Sequence, residues 1–283
     1  MIDDVRVSIC CITYNHEHYI KQCIEGFLMQ KTDFLYEILI YDDASLDGTQ
    51  KIIREYEMLY PEIVHPIYQS DNQYSKGVRP INKFNFERAK GEFIAMCEGD
   101  DYWIDPHKLQ EQVDFLELNP NYSVSFHAAE YKDFKANISR IHSYKCENGF
   151  ATYDVKKVIL SGGGFMTTNS IVFRTKFIRD FPDWIKKGPT GDYPLAILLA
   201  SFGDVGYFAD CMSVYRMGVS NSWSEKSRNP GYQYKWLIGT NRMLHGFNKW
   251  TGYKYSWIVI KMQIINLWRV YKYILKCFLT SQT

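Results

Sequence analysis

Glu98, Asp100 and Asp101 place three carboxylates within four positions, directly after an apolar run at residues 93–97. An apolar run of this length, with a glycine on either side, is typical of a buried strand. The carboxylates would then lie just past its carboxyl end, the edge of an open α/β sheet at which ligands bind. Close carboxylates are stable only when they are solvated or neutralised by a cation, and oxygen ligands suit Mg²⁺ or Mn²⁺. The motif therefore predicts a cation site that would also suit phosphates, with a solvated acidic turn as the alternative.

Further carboxylates fall at two other element boundaries. Asp42 and Asp43 follow a second predicted strand at 36–41, and Asp192 precedes an apolar helical segment at 195–202. A carboxylate can accept a hydrogen bond from a nucleobase or a ribose, ligate a metal ion or take up a proton. A nucleotide-sugar enzyme uses all three of these properties. The alternatives are turn capping for the aspartate pair and helix capping for Asp192.

The first part of the chain alternates between strand and helix patterns. A β-branched apolar run at 5–13 predicts the first buried strand, and Asn15 is the predicted N-cap of the helix that follows. Pro80 is predicted to lie near the start of a later helix at 80–90. The alternation implies parallel βαβ units in a doubly wound α/β sheet. The other strands of this part are predicted at 36–41, 63–69 and 93–97.

The pattern becomes less regular after Trp103. A helix is predicted from Asp105, and the polar segment at 132–152 is predicted to form a mobile flap. Shorter strands are predicted at 122–128, 170–174, 205–208 and 212–216.

The C-terminal segment at 255–279 is apolar and aromatic. It carries four basic residues, Lys261, Arg269, Lys272 and Lys276. A basic aromatic helix of this kind can lie on an anionic membrane surface. Packing against the rest of the protein, or a dimer contact, is the alternative.

Length and composition restrict the class of protein. A chain of 283 residues allows one large domain or two modest ones, and a net charge of +1 predicts no nucleic-acid binding. The seven cysteines include Cys10, Cys11 and Cys97 in predicted core strands and form no CxxC pair, which favours a reduced, cytosolic protein. We expect no signal peptide and no transmembrane helix. Dinucleotide-binding and P-loop fingerprints are also absent from the sequence.

Five motifs, taken together in their order and spacing, resemble those of the inverting family 2 glycosyltransferases with the GT-A fold, especially bacterial enzymes of surface-polysaccharide synthesis. The resemblance covers roughly residues 5–220 and implies a Rossmann-like mixed sheet flanked by helices, followed by a helical C-terminal extension. The motifs are Thr13-Tyr14-Asn15, Asp42-Asp43-Ala44-Ser45-Leu46-Asp47-Gly48-Thr49, Ala89-Lys90-Gly91-Glu92-Phe93-Ile94, Glu98-Gly99-Asp100-Asp101-Tyr102-Trp103 and Gly191-Asp192-Tyr193-Pro194.

The resemblance implies a nucleotide site in the first half of the chain. The loop that carries Thr13, Tyr14 and Asn15 would border a nucleobase such as uracil, and Asp43 would read that base. Asp100 would contact the ribose or support a metal ligand.

The resemblance also implies a metal ion and a general base. Asp101 would be the first metal ligand, and Glu98 would be another, where the family usually has Asp. The metal would be Mn²⁺ or Mg²⁺ and would bridge the diphosphate. Asp192 would take the proton from the acceptor hydroxyl. Related sequences often carry a histidine after Tyr-Arg, but residues 217–224 contain none, so Arg216 is the predicted diphosphate contact, with a surface salt bridge as the alternative.

We therefore expect an inverting transfer of a sugar, with UDP-sugars favoured as donors, to a hydroxyl of a glycan or of a lipid-linked oligosaccharide in surface-polysaccharide synthesis. Residues 1–220 would form the catalytic domain, divided into a nucleotide-sugar half at 1–105 and an acceptor half at 106–220. Residues 221–283 would form the extension, which would contact a membrane or a second copy of the chain. The expected location is cytoplasmic, at the inner face of the cell membrane.

Two other functions remain open at this point. A non-catalytic nucleotide-sugar binding or scaffold protein would keep the fold without the chemistry. A sugar-phosphate nucleotidyltransferase would need a glycine-rich basic loop after the first strand, and residues 14–18 do not provide one.

Overall fold

A mixed sheet forms the centre of the protein, whose computed structural model describes residues 4–78, 81–219 and 230–280. Within these residues the sheet has ten strands in the order β3-β2-β1-β4-β9-β6-β10-β5, with β7 paired to β6 and β8 paired to β10. The strands are β1 (Val7–Thr13), β2 (Tyr36–Asp42), β3 (Val64–Tyr68), β4 (Phe93–Glu98), β5 (Tyr102–Trp103), β6 (Tyr122–Asp133), β7 (Ile138–His142), β8 (Phe150–Tyr153), β9 (Val172–Arg174) and β10 (Asp204–Arg216).

Helices cover both faces of this sheet and extend beyond it at the C-terminal end. They are α1 (Ile20–Leu28), α2 (Thr49–Leu59), α3 (Lys108–Leu118), α4 (Val155–Ser161), α5 (Asp192–Phe202), α6 (Pro230–Trp250) and α7 (Ser256–Thr280).

The strands β1, β2, β3 and β4 are mutually parallel neighbours, as the strand–helix alternation predicts. The sequences of β1, β2 and β4 are mostly apolar because both faces are covered, whereas β3 at the edge of the sheet carries His65 and Pro66. In β1, for example, Ile9 and Cys11 pack with α1 on one face while Cys10 packs with Leu39 on the other. The predicted burial of Cys10, Cys11 and Cys97 is confirmed.

The second part of the sheet differs from its prediction. The segment at 132–152 contains β7 and β8, which pair antiparallel with β6 and β10, and its mobility as a flap stays a prediction. The two strands predicted at 205–208 and 212–216 form one strand, β10, whose register against β6 shifts between Phe208 and Ser213. A bulge of this kind interrupts the alternation of the side chains, which explains why the sequence pattern divides here.

Two helix predictions also need correction. Asn15 does not cap α1: the N-cap position is Tyr19, and Asn15 has a left-handed backbone with φ of 56°. In place of the regular helix predicted at 80–90, a π-helical turn at Ile81–Asn85 is followed by a 3₁₀ turn at Phe86–Arg88. Pro80 itself lies outside the described residues.

The helix predicted near the C-terminus is confirmed as α7. It packs against α6 and α4, and Val259, Met262 and Asn266 are buried in this contact. Among the residues that the structure describes, no helix has the length and apolar character needed to cross a bilayer.

Candidate active site

The carboxyl ends of three parallel strands bring the motifs to one edge of the sheet. Thr13 at the end of β1 pairs with Asp42 at the end of β2, and Ile12 pairs with Glu98 at the end of β4. The backbone N–H of Gly99 donates to the carbonyl oxygen of Ile12 at 2.9 Å. The three motifs that the sequence separates by up to 85 residues are therefore neighbours at this edge.

Hydrogen bonds tie the loop after β1 to the loop after β2. The backbone N–H of Asn15 donates to Ser45 Oγ at 2.8 Å, and Asn15 Oδ1 accepts from the backbone N–H of Leu46 at 2.8 Å. Asn15 thus links the two loops, which explains why it is not available as a cap. Tyr14 lies beside it with 36% of its surface exposed, whereas Thr13 is buried and its Oγ1 has no hydrogen-bond partner among the described residues.

The two aspartates after β2 have different environments. Asp43 Oδ1 accepts from Tyr41 Oη at 3.1 Å and from the backbone N–H of Gln73 at 2.7 Å, and Asp43 Oδ2 accepts from the backbone N–H of Tyr74 at 3.0 Å. Asp43 therefore holds the segment around Tyr74 against this edge. Asp42 instead caps its own turn, because its Oδ1 accepts from the backbone N–H of Ser45.

The acidic motif forms a tight turn at the end of β4. The backbone N–H of Asp101 donates to the carbonyl oxygen of Glu98 at 3.0 Å, and Asp101 Oδ1 accepts from the backbone N–H of Arg216 at 2.8 Å. Asp101 is 1% exposed, and its Oδ2 finds no hydrogen-bond partner in the described part of the chain.

The electrostatics of this turn favour a cation. Burial, followed by the charges of Asp100 and Asp192, raises the pKa of Glu98 to about 8. Burial and the charge of Asp100 also raise the pKa of Asp101 well above its ordinary value. Both shifts arise because negative charges gather where little water can solvate them, and a bound cation would reverse them.

Glu98 and Asp101 could supply only part of the coordination sphere of a metal ion. Among the described residues, no group of three or more His, Cys, Asp or Glu side chains forms a metal cage. A metal at Asp101 or Glu98 would therefore depend on further oxygens from a diphosphate and from water, which is the usual arrangement for Mg²⁺. The unpaired Oδ2 of Asp101 and the hard oxygen donors of the turn are compatible with this arrangement.

Asp192 is the first residue of α5, and its side chain does not cap the helix. The N-cap position is Gly191, with no side-chain capping hydrogen bond, and Asp192 Oδ1 has no hydrogen-bond partner within the described ranges. After burial and the charge of Asp100, the charge of Asp192 contributes to the raised pKa of Glu98, so the two carboxyl groups lie within electrostatic reach of one another. Burial, followed by the charges of Tyr74 and Asp192, raises the pKa of Tyr232 near the start of α6.

Arg216 is buried and locks the acidic turn in place. Its guanidinium donates to the carbonyl oxygen of Asp100 and to Gln22 Oε1, and its Cζ lies 4.3 Å from the centre of the Tyr102 ring. No surface salt bridge of Arg216 occurs among the residues that the structure describes. The predicted contact between Arg216 and a diphosphate stays a prediction.

Two tyrosines that sequence reasoning missed stand beside the carboxylates. Tyr131 on β6 and Tyr215 on β10 have ring centres 5.0 Å apart, and the ring of His142 lies 4.8 Å from that of Tyr131. Burial and then the charge of Asp101 raise the pKa of both phenols, for Tyr131 to about 12. We call Tyr131, His142 and Tyr215 the aromatic wall. The only signal in the sequence was the position of Tyr215 directly before Arg216.

Comparison with known sequences decides the family. A family model described as Glycosyl transferase family 2 matches residues 8–181, which is more than half of the chain. The chain belongs to this family.

Relatives of this family 2 chain include an uncharacterised protein of Mycobacterium tuberculosis, which is 35% identical over 219 residues. The match covers 77% of this chain and 60% of that protein, so the chain spans less than two thirds of the relative's length. An Escherichia coli protein described as UDP-Glc:alpha-D-GlcNAc-diphosphoundecaprenol beta-1,3-glucosyltransferase is 32% identical over 136 residues, or 48% of this chain and 49% of that protein.

Structural comparison confirms the predicted GT-A fold. The mannosyltransferase PcManGT of Pyrobaculum calidifontis, solved in complex with GDP-Man and Mn²⁺, superimposes with a TM-score of 0.62. The match covers 98% of this chain and 75% of that protein, at 15% identity. The family 2 domain therefore has the mixed sheet with flanking helices that the motifs imply. The segment at 220–229, which includes the Trp-Ser pair after the missing histidine, lies outside the described residues.

Proposed function

We propose that this family 2 glycosyltransferase transfers a sugar from a nucleoside-diphosphate donor, preferably a UDP-sugar, to a hydroxyl of a glycan or lipid-linked oligosaccharide, with inversion at the anomeric carbon. The observation that carries the proposal is the cluster of Glu98, Asp101 and Asp192, in which two carboxyl groups have raised pKa values and the third has an unpaired oxygen. The UDP-glucose in the name of the Escherichia coli relative supports the choice of donor.

The donor would occupy the half of the domain formed by residues 1–105. The loop of Thr13, Tyr14 and Asn15 would border the nucleobase, because Tyr14 is exposed at the edge where this loop meets the loop after β2. Asp43 would accept from the base through the acceptor site left on its Oδ2, since its Oδ1 already accepts two hydrogen bonds. Asp100 would contact the ribose.

A divalent ion, Mn²⁺ or Mg²⁺, would be held by Asp101 and Glu98 together with diphosphate oxygens. Such an ion supplies Lewis-acid stabilisation of the departing diphosphate. The side chain of Arg216 would keep Asp100 and Asp101 in position through its bond to the Asp100 carbonyl.

Asp192 would act as the general base. The acceptor oxygen would lose its proton to Asp192 as it forms a bond to the anomeric carbon, while the bond from that carbon to the diphosphate oxygen breaks and its electron pair leaves with the nucleoside diphosphate. One displacement from the opposite face inverts the anomeric centre. The aromatic wall, in the half formed by residues 106–220, would offer ring faces to the acceptor sugar.

The proposed location is the cytoplasm, at the inner face of the cell membrane. Six cysteines of the described residues are free thiols, which suits a reducing compartment. The lipid diphosphate in the name of the Escherichia coli relative supports an acceptor held at a membrane.

A donor screen tests this function. The protein would be incubated with UDP-, GDP- and CDP-sugars and a mixture of glycan acceptors, and the nucleotide products would be separated by chromatography. Transfer predicts acceptor-dependent release of a nucleoside diphosphate and a product with the opposite anomeric configuration by NMR. Pyrophosphate as the product would indicate a nucleotidyltransferase, and binding of a nucleotide-sugar without any product would indicate a scaffold protein. Either result would overturn the proposal.

A further inference from the structure

The outer face of α7 is an apolar stripe on the surface of the protein. Six large side chains with exposures between 48% and 76% recur at helical spacing along it. They are Trp257, Ile260, Ile264, Leu267, Trp268 and Tyr271. We call these residues the α7 stripe.

The α7 stripe is not the face that attaches the helix to the protein. Val259, Met262, Asn266 and Val270 are buried and lie on the opposite side of the helix, toward α6 and α4. An amphipathic helix normally needs only one apolar face to pack on its domain. The second apolar face therefore requires a partner other than the domain itself.

The charge of the C-terminal region indicates what this partner is. All 32 acidic residues and 23 of the 33 Lys and Arg residues fall within the first 225 positions, giving that part a net charge of −9. The last 58 residues carry the other ten basic residues and no acidic residue, so their net charge is +10. The total of +1 conceals this separation of charge between the catalytic domain and the C-terminal helices.

Basic side chains lie directly beside the α7 stripe. Lys261, Arg269 and Lys272 are exposed on one flank of the helix, and Lys272 Nζ lies 3.6 Å from the centre of the Trp268 ring. Aromatic side chains with polar edges, next to lysines with long apolar stems, are suited to the boundary between lipid headgroups and acyl chains.

We propose that α7 docks this glycosyltransferase on an anionic lipid bilayer, with the α7 stripe inserted at the level of the headgroups and the basic flank on the lipid phosphates. A second copy of the chain is a poorer occupant of the same face. In an antiparallel two-fold dimer of α7 the two basic flanks would lie on the same side of the interface and repel one another, and no acidic residue after position 225 is available to neutralise them. Anionic lipids supply that neutralisation.

The docked helix is connected to the proposed catalytic edge. Burial raises the pKa of Tyr193, the residue after Asp192, and the nearby charge of Arg269 on α7 opposes this shift.

Vesicle co-sedimentation tests this proposal and needs no donor or acceptor, so its result is independent of the proposed function. The full chain would be mixed with phosphatidylcholine vesicles with or without phosphatidylglycerol, at low and at high salt. We expect binding only to the vesicles that contain phosphatidylglycerol, weakened by salt. Trp257→Gln/Trp268→Gln should weaken the affinity by at least about tenfold, and Lys261→Gln/Lys272→Gln by roughly 30-fold.

A matched control separates a docking face from general apolar surface. Met58 and Leu118 are 74% and 81% exposed on α2 and α3, so Met58→Gln/Leu118→Gln should bind vesicles like the wild type. Circular dichroism and thermal unfolding would verify that each variant folds. Absence of wild-type binding to anionic vesicles, or equal loss in the control, would overturn the proposal. A wild-type dimer in light scattering that dissociates in the α7 stripe variant would assign the face to a second copy and overturn it as well.

Discussion

The clearest prediction concerns Asp192, which should be essential for turnover and dispensable for folding. Replacing it with Asn keeps the shape of the side chain but removes the proton acceptor. A positioned general base typically contributes roughly 100- to 10,000-fold, so kcat should fall by that factor, equivalent to about 3–5 kcal/mol in the activation barrier.

The structure also limits the expected effect of this change on stability. Asp192 makes no capping hydrogen bond at the start of α5. Its charge is favourable near a helix N-terminus but unfavourable beside Glu98, and these two effects oppose one another. The free energy of unfolding should therefore change by less than about 1 kcal/mol. Donor binding should persist, because the proposed role concerns the acceptor.

Asp154 provides a matched comparison, because it also stands at the start of a helix. Asp154 caps α4 through a hydrogen bond of 2.9 Å from the backbone N–H of Lys157 to Asp154 Oδ1. Asp154→Ala should lose about 1 kcal/mol of stability and keep its turnover number, the reverse of Asp192→Asn. The assays are release of nucleoside diphosphate in the presence of acceptor and denaturant unfolding. A normal kcat in Asp192→Asn, or a loss of stability that matches Asp154→Ala, would refute the reasoning.

Three further predictions follow from individual contacts. A Cβ added at Gly99 would lie 2.6 Å from Thr13 Oγ1, so Gly99→Ala should displace the loop after β1 and weaken nucleotide binding by at least about tenfold in calorimetry. Unchanged affinity would mean that this edge of the sheet is not the nucleotide site. Arg216→Gln removes the charged donor to the Asp100 carbonyl and should lower the free energy of unfolding by roughly 2–3 kcal/mol in denaturant titration. Arg216→Lys should restore only part of this loss. Full stability of the Gln variant would contradict the role of Arg216 in holding the acidic turn. Burial lowers the pKa of Lys108 to about 7 in the folded protein. Between pH 7 and about pH 10 this lysine is therefore protonated in the unfolded chain but largely neutral in the folded protein, so the free energy of unfolding rises with pH over this range. The free energy of unfolding of Lys108→Met should therefore exceed that of the wild type most near pH 7, by up to several kcal/mol. If this difference does not shrink toward pH 10, the lowered pKa of Lys108 is contradicted.

The sequence predicted the donor side of the fold well because its signals are local. The strands β1, β2 and β4 are mostly apolar, with a buried Ser8 in β1 and a buried Glu37 in β2, and each ends in a polar motif at the carboxyl edge. Since parallel neighbours share that edge, adjacency of Thr13, Asp42 and Glu98 follows from the pattern alone.

The acceptor side could be predicted only in part because several of its contacts join residues that are distant in sequence. Within the segment predicted as a flap, β7 pairs with β6 across a short turn, whereas β8 pairs with the distant strand β10, where Tyr153 faces Val205. Tyr131 and Tyr215 meet in the aromatic wall although 84 positions separate them, and the only local signal is the position of Tyr215 directly before Arg216.

Individual polar residues show the same limitation. Asn15 has the residue type and the position of a helix cap, but Ser45 and Leu46 engage it instead. Arg216 was predicted to be a phosphate contact or a surface ion pair, and its place under the acidic turn depends on Gln22 and Tyr102. Residue type thus indicates which bonds a side chain can make, whereas the tertiary structure decides which of them it makes.

Titration calorimetry of UDP is the most direct test of the central claim that the carboxylate edge binds a nucleoside diphosphate together with a divalent ion. UDP would be added to the wild type and to Asp101→Asn, each with Mn²⁺, Mg²⁺ or EDTA, and GDP and CDP would serve as comparison nucleotides. The account predicts that UDP binds in the presence of the metal and that binding is lost with EDTA and in Asp101→Asn. Equal affinity of the wild type and Asp101→Asn, or the absence of binding by every nucleotide with either metal, would contradict it.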